Sequence, residues 1–372
     1  MRLAFIEVQP CPCPAIYFDK LMSCNHDGFN LYIDFVPVCF AETVPWAGQS
    51  QEESMSKPVN SLESPRFCGV RTFMRLPHVA SAEGVDFAIL GVPFDTATSY
   101  KPGCRFGPES IRAASSILKN YNEVLDVDIF EECTGVDWGD IDIVPGYLEE
   151  SFEKIEEGVA TVLQEDAIPV IMGGDHSITL PELRAVAKKH GPVALIHFDA
   201  HSDTGSDYFG KPYNHGTTFH WAIKEGLIKP EASSQVGIRG PLYSRDALQF
   251  ARESGMDVIT GWELHHIGIE AAVKRIRERI APGTPVFLTF DIDFLDAAYA
   301  PGTGTPEIGG FTTHEALKLV LESCQGLNLI GMDLVEVLPE SDTADITSFA
   351  AAGIMHAFLS CLAYNKRQAG TE

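Results

Sequence analysis

From residue 86 onward, short apolar runs alternate with stretches in which apolar side chains recur every three or four residues. The short runs predict strands at 86–92, 135–143, 168–172, 193–199, 234–238, 257–260, 286–291 and 327–335. The longer stretches predict helices at 106–116, 151–165, 180–190, 215–225, 244–254, 269–280, 312–322 and 345–361. Near-continuous apolar strands separated by helices predict a mostly parallel sheet covered on both faces. No polar linker interrupts this alternation after residue 66, so one α/β domain is expected from 65 to 366, with 367–372 as a tail.

The chain ahead of this pattern is different. Residues 1–64 read as an extension, mobile or outside the catalytic fold, in which 48–64 is a polar linker and Met55 offers an alternative start. Glu7 and Pro10 break any signal-peptide core, and no apolar run there approaches the ~18 residues of a membrane span. Across the whole chain 52 acidic residues outnumber 27 basic ones, a formal charge of −25. Such a balance repels phosphate backbones and anionic membranes and draws in cations, so neither nucleic acid nor membrane is an expected partner. The 9 cysteines include no CxxC pair, which reads as reduced thiols in a cytoplasmic protein rather than a disulfide framework.

Chemistry concentrates where the predicted strands end. The run 193–198 is followed by Asp199, Ala200, His201, Ser202 and Asp203. Positions i, i+2 and i+4 of an extended backbone share a face, so two carboxylates and an imidazole project together. Gly173-Gly174-Asp175-His176-Ser177 follows the strand at 168–172, and Asp291-Ile292-Asp293 ends the strand at 286–291. In an open parallel sheet, ligands bind at this edge. Like charges held so close need a proton or a cation between them. His176, Asp199, His201, Asp203, Asp291 and Asp293 are therefore candidate ligands, and four carboxylates with two imidazoles suit two divalent ions better than one structural zinc.

These three motifs resemble the metal-binding signatures of the ureohydrolase family, which includes arginase, agmatinase and the guanidino-acid hydrolases. The resemblance extends to Arg105-Phe106-Gly107-Pro108 and to the segment 300–310. It implies a three-layer α/β/α sandwich with a mostly parallel eight-stranded sheet, as in arginases and deacetylases. It implies two divalent ions per subunit, manganese first and nickel as the alternative. One would be held by His176, Asp199, Asp203 and Asp291, the other by His201, Asp199, Asp291 and Asp293. The implied reaction is attack of metal-held hydroxide on a small cationic guanidino substrate, releasing urea and an amine. His215 matches the position that shuttles the proton and Glu336 the carboxylate that grips the guanidinium. The family forms trimers or hexamers, so a homo-oligomer is expected.

Branch and substrate rest on smaller departures. Thr305-Pro306-Glu307, Arg66-Phe67-Cys68-Gly69 and Met74-Arg75-Leu76-Pro77 resemble agmatinases, and the segment 204–211 lacks the Asn and Ser pattern with which arginases hold an α-amino acid. Agmatine is the first expected substrate, with guanidine, a guanidino acid or a biguanide such as metformin as alternatives. Glu307 and Trp221 are candidate substrate contacts, although Trp221, like Tyr100, also reads as ordinary packing. Asp175 reads either as a partner orienting His176 or as a helix cap. His197 shares the ligand face but reads as a buried structural histidine. A non-catalytic subunit of a hetero-oligomer is the reading from a different class, and the complete ligand set argues against it.

Overall fold

The computed structural model describes residues 57–371. Eight strands form one sheet: β1 Phe87–Gly91, β2 Gly135–Asp140, β3 Ile168–Met172, β4 Ala194–Phe198, β5 Ser234–Ile238, β6 Asp257–Thr260, β7 Pro285–Asp291 and β8 Asn328–Val335. Their spatial order is β2-β1-β3-β8-β7-β4-β5-β6, and every neighbouring pair is parallel. A two-residue antiparallel ladder, Tyr121–Asn122 with Val127–Asp128, stands apart from it. All eight predicted strands are present, with ends shifted by three residues at most.

Strand alternation divides the core into two layers. On one face Ile89, Met172, Ile196, Leu288 and Met332 pack with buried side chains of α1 (Gly107–Ser115), α5 (Ile269–Arg279), α6 (Thr313–Cys324) and α7 (Ile346–Thr371). On the other, Leu90, Ile171, Leu195 and Phe287 pack against α2 (Leu148–Gln164), α3 (Thr179–His190) and α4 (Thr218–Lys224). The result is the expected three-layer α/β/α sandwich.

Some boundaries move for local reasons. The predicted helix at 215–225 opens as a 3-10 turn, His215–Thr217, because the Asn214 side chain caps it, and continues as α4. The predicted helix at 244–254 shrinks to Gln249–Glu253, where the Ser244 hydroxyl accepts from the Asp246 amide and holds a turn instead. Residues 367–371 are not a separate tail: α7 runs through Thr371. The proposed start at Pro65 is also late, since the Val59 amide donates to Arg75 and the Arg75 guanidinium reaches Ser64. The expectation for residues 1–54 lies outside the described residues.

Among the described residues one segment, Ile346–Gly370, is long and apolar enough to cross a membrane, but 72% of its apolar window is buried inside the fold, as a core helix requires. The five described cysteines, Cys68, Cys104, Cys133, Cys324 and Cys361, are free thiols.

Candidate active site

Because all neighbouring strands are parallel, the C-terminal ends of β3, β8, β7 and β4 lie side by side at the sheet centre. The turn after β3 is the tightest part of this edge. A Cβ on Gly174 would lie 1.6 Å from the Phe94 carbonyl oxygen, so only glycine lets the two backbones approach. Asp175 then caps the following turn through Ser177 N at 3.0 Å and accepts from Ala97 N at 2.9 Å, which ties the loop after β1 to the site. Its role is therefore that of a cap. Burial, then the charge of Glu336, raises its carboxyl to about 7.

The predicted ligands converge in two groups. His176 Nδ1 lies 3.1 Å from Asp199 Oδ2, 3.1 Å from Asp203 Oδ2 and 3.3 Å from Asp291 Oδ2. His201 Nδ1 lies 3.0 Å from Asp293 Oδ2 and 3.6 Å from Asp199 Oδ1. Asp199 thus turns one oxygen to each group. His176 Nδ1 and Asp293 Oδ2 are buried with no hydrogen-bond partner, a costly arrangement unless something else satisfies them. Burial, then the charges of Asp293 and Asp199, pushes the Asp291 carboxyl well above its usual range, so the cluster cannot ionise fully by itself. Converging carboxylate oxygens and imidazole nitrogens with orphaned atoms between them fit a pair of divalent cations.

His197 is drawn in too, but not as a ligand. Gln235 Nε2 must donate to the Ser202 carbonyl at 2.6 Å, which fixes its amide orientation, and it also donates to His197 Nδ1 at 3.1 Å. The remaining proton sits on Nε2 and is donated to Asp199 Oδ2 at 2.7 Å. This chain orients Asp199 from behind. Burial opposes the charge of Asp199, yet the adjacent His176 imidazole and the hydrogen bond from His197 hold its carboxyl well below the usual range.

Glu336 directly follows β8 in a left-handed conformation, φ 64°, a sparsely populated region for a residue with a Cβ. Its Oε1 accepts from His176 N at 3.0 Å and from His215 Nδ1 at 2.9 Å. Its Oε2 accepts from the Cys104 thiol at 3.2 Å. Burial, then the Glu336 charge, raises the Cys104 thiol far up, so it stays a donor. A carboxylate offers about four acceptor positions, so Glu336 keeps one on Oε2. Burial works against the charge of His215, but the bond to Glu336 and its charge outweigh this and raise the imidazole to about 9.

A cavity of about 370 Å³ opens onto His201, Asp203, His215 and Asp291, with Tyr208, Leu242 and Tyr243 near its mouth. Two predicted substrate contacts stand elsewhere. Trp221 does not line it: the indole donates to the Pro212 carbonyl and packs edge-on against Tyr213. Glu307 sits at the rim beside His201, Oε1 to Nε2 3.9 Å, and is absent from the lining.

The profile of the arginase family matches residues 85–361. The chain belongs to the arginase family. It is 42% identical to a guanidinobutyrase of Pseudomonas aeruginosa over 314 residues, 84% of this chain and 98% of the relative. It is 41% identical to the mitochondrial agmatinase of Gallus gallus, over 79% of this chain and 86% of the relative. Among solved structures, proclavaminate amidinohydrolase from Streptomyces clavuligerus superposes with a TM-score of 0.78 at 39% identity, covering 81% of this chain and all of the other. Membership makes this arginase-family chain a hydrolase of amidine C–N bonds, and the convergent His/Asp cluster agrees with a family built on paired divalent ions.

Several residues of the site carry no motif signal. Arg239 is buried beneath it and spends its guanidinium on backbone carbonyls, among them those of Asp293, Phe294 and Leu295. It thereby anchors the loop that carries Asp293. Ser99 and Cys104 arrive from the loop after β1, 116 and 232 residues in sequence from their partners. Only the unusual Gly237-Ile238-Arg239, a cation directly after an apolar strand, could have drawn attention in advance.

Proposed function

We propose that this chain hydrolyses a guanidino compound with a second cationic group, agmatine first, to urea and an amine. The observation that carries the preference is the charge of the cavity. Beyond the ion-holding Asp203 and Asp291 its lining carries Asp207, while Arg239, the one Lys or Arg in it among the described residues, is occupied by backbone carbonyls. Among the described residues, no free Lys or Arg there could receive the carboxylate of a guanidino acid. A cavity with Asp207 outside both ligand groups and no free Lys or Arg instead favours a substrate with a second positive charge away from the guanidinium.

Each side chain then has a task. His176, Asp199, Asp203 and Asp291 would hold one ion and His201, Asp199, Asp291 and Asp293 the other, with manganese favoured by the oxygen-rich set and nickel second. When bound, such a pair supplies Lewis acidity and a water pKa lowered toward neutrality. Glu336 uses its free acceptor position on a guanidinium N–H, a charge-assisted contact that fixes the plane of the substrate. His215, raised to about 9 by Glu336, carries a proton at neutral pH and serves the departing amine as general acid.

The test is urea release from agmatine, guanidinobutyrate, guanidinopropionate, guanidine, metformin and arginine, with manganese and nickel supplied separately. Agmatine is expected to give the highest kcat/KM. A guanidino acid in first place would overturn the charge argument, and arginine in first place the branch.

A further inference from the structure

Both ring nitrogens of His215 are engaged. Nδ1 faces Glu336 Oε1 at 2.9 Å, and Nε2 faces Ser99, 3.1 Å from its amide nitrogen and 2.7 Å from its hydroxyl oxygen. A backbone N–H can only donate, so in the neutral ring Nε2 is the acceptor and Nδ1 carries the hydrogen given to Glu336. The acidic proton of the imidazolium therefore resides on Nε2, pointed at Ser99. Delivering it straight to a substrate would require turning the ring away from one of these partners. Ser99 itself lines the cavity.

The loop bearing Ser99 is held on several sides. Asp95 accepts from Gly103 N and pairs with Arg105, Ala97 N donates to Asp175 at 2.9 Å, and the Ala97 carbonyl accepts from Asn214 Nδ2 at 2.6 Å. Asn214 precedes His215, so hydroxyl and imidazole are positioned by one hydrogen-bonded unit. The Ser99 amide adds a further effect. When Nε2 is protonated this N–H loses its acceptor, which favours passing the proton on to the adjacent oxygen.

We propose that Ser99 is a catalytic relay: its hydroxyl passes the proton between His215 Nε2 and the leaving amine nitrogen. This rests on the reading of His215 as general acid. As the C–N bond breaks, its electron pair stays on the amine nitrogen, which takes the proton of the Ser99 hydroxyl. The Ser99 oxygen simultaneously takes the proton from His215 Nε2. The water consumed by hydrolysis gives up one proton on attack, restoring His215, so the pair ends each turnover as it began.

The experiment uses the full-length, manganese-loaded protein and the single-turnover rate of urea formation from agmatine, guanidinobutyrate and guanidine. Ser99→Ala keeps the backbone N–H, and with it the His215 tautomer, but removes the relay oxygen. It is expected to slow the step about 10- to 100-fold, below the ~10²–10⁴-fold worth of a general acid, because water can partly replace the hydroxyl. KM should stay near wild type, and the solvent deuterium isotope effect should rise as proton delivery becomes limiting. Ser99→Thr, which keeps a hydroxyl, should recover most of the rate. An unchanged rate in Ser99→Ala, equal losses in Ala and Thr, a change confined to KM, or an unaltered isotope effect each overturns the relay while leaving the hydrolase intact. A wild-type protein that releases urea from none of the three overturns the reading of the site, and the relay with it.

Discussion

Replacing Glu336 by Gln separates two consequences of one carboxylate. The side chain keeps its shape but loses its charge, and Gln can accept at only one of its two terminal atoms. The first consequence is binding. A hydrogen bond to a charged partner contributes about 1.5–3 kcal/mol, so kcat/KM should fall about 10- to 150-fold from this contact alone. The second concerns the proton on His215. Its imidazole is raised from 6.5 to about 9, and Glu336 supplies the leading upward contributions against the burial that lowers it. Without that charge, burial is opposed only by the more distant Asp203 and Asp175, and the imidazole falls from about 9 toward its ordinary value. At pH 8 roughly nine-tenths of wild-type molecules would carry the proton, and the variant a smaller share. With His215 as the proposed general acid, activity declines as pH rises through its pKa, and the alkaline limb of the kcat profile should move down in the variant. Bound cations lower the limb in both proteins, so the difference between them is the quantity to measure. Urea release from pH 6 to 10 at saturating agmatine gives it directly. Coincident alkaline limbs would refute the coupling of Glu336 to His215, whatever happened to KM.

Two further substitutions probe neighbouring parts of the structure. His215→Ala should lower kcat about 10²–10⁴-fold while metal content by elemental analysis stays unchanged, because His215 belongs to neither ligand group; loss of metal together with activity would move His215 into the metal site. Glu182 on α3 is fully buried with both carboxyl oxygens unpartnered, and burial, then the charge of Asp333, pushes its carboxyl well above 4.5. The folded chain therefore retains a proton that the unfolded chain releases above about pH 4.5, so stability is lost as pH rises from there through the folded value. Glu182→Gln should be near neutral at pH 4.5 and stabilising by about 1–3 kcal/mol at pH 8, or a few degrees in Tm. A shift in Tm independent of pH would show that the proton on Glu182 is not involved.

Most of the framework is legible along the chain because it is local. Strands announce themselves by runs of four to eight apolar residues, and Asp199, His201 and Asp203 share a face through the two-residue period of extended backbone alone. Parallel order then brings those strand ends to one edge, where all six candidate ligands converge. Spacing could not say which neighbours would complete each side chain. His197 could be a ligand or filler until Gln235, 38 residues on, fixed its tautomer and made it a donor to Asp199. Trp221 and Glu307 lie near site motifs in sequence, yet local packing turns one toward Pro212 and leaves the other at the rim.

The sheet, the edge bearing the candidate ligands and the class of chemistry are readable along the chain, since each follows from backbone periodicity and from side chains a few residues apart. Tertiary structure alone decided the acid–base arrangement, in which Cys104 and Ser99 meet Glu336 and His215 across separations of 232 and 116 residues. It also decided the charge of the cavity, because an arginine in the lining counts only if its donors are free, and those of Arg239 are spent on the backbone. Hydrogen-bond commitments of this kind are a property of which groups the fold brings together, and no spacing along the chain encodes them.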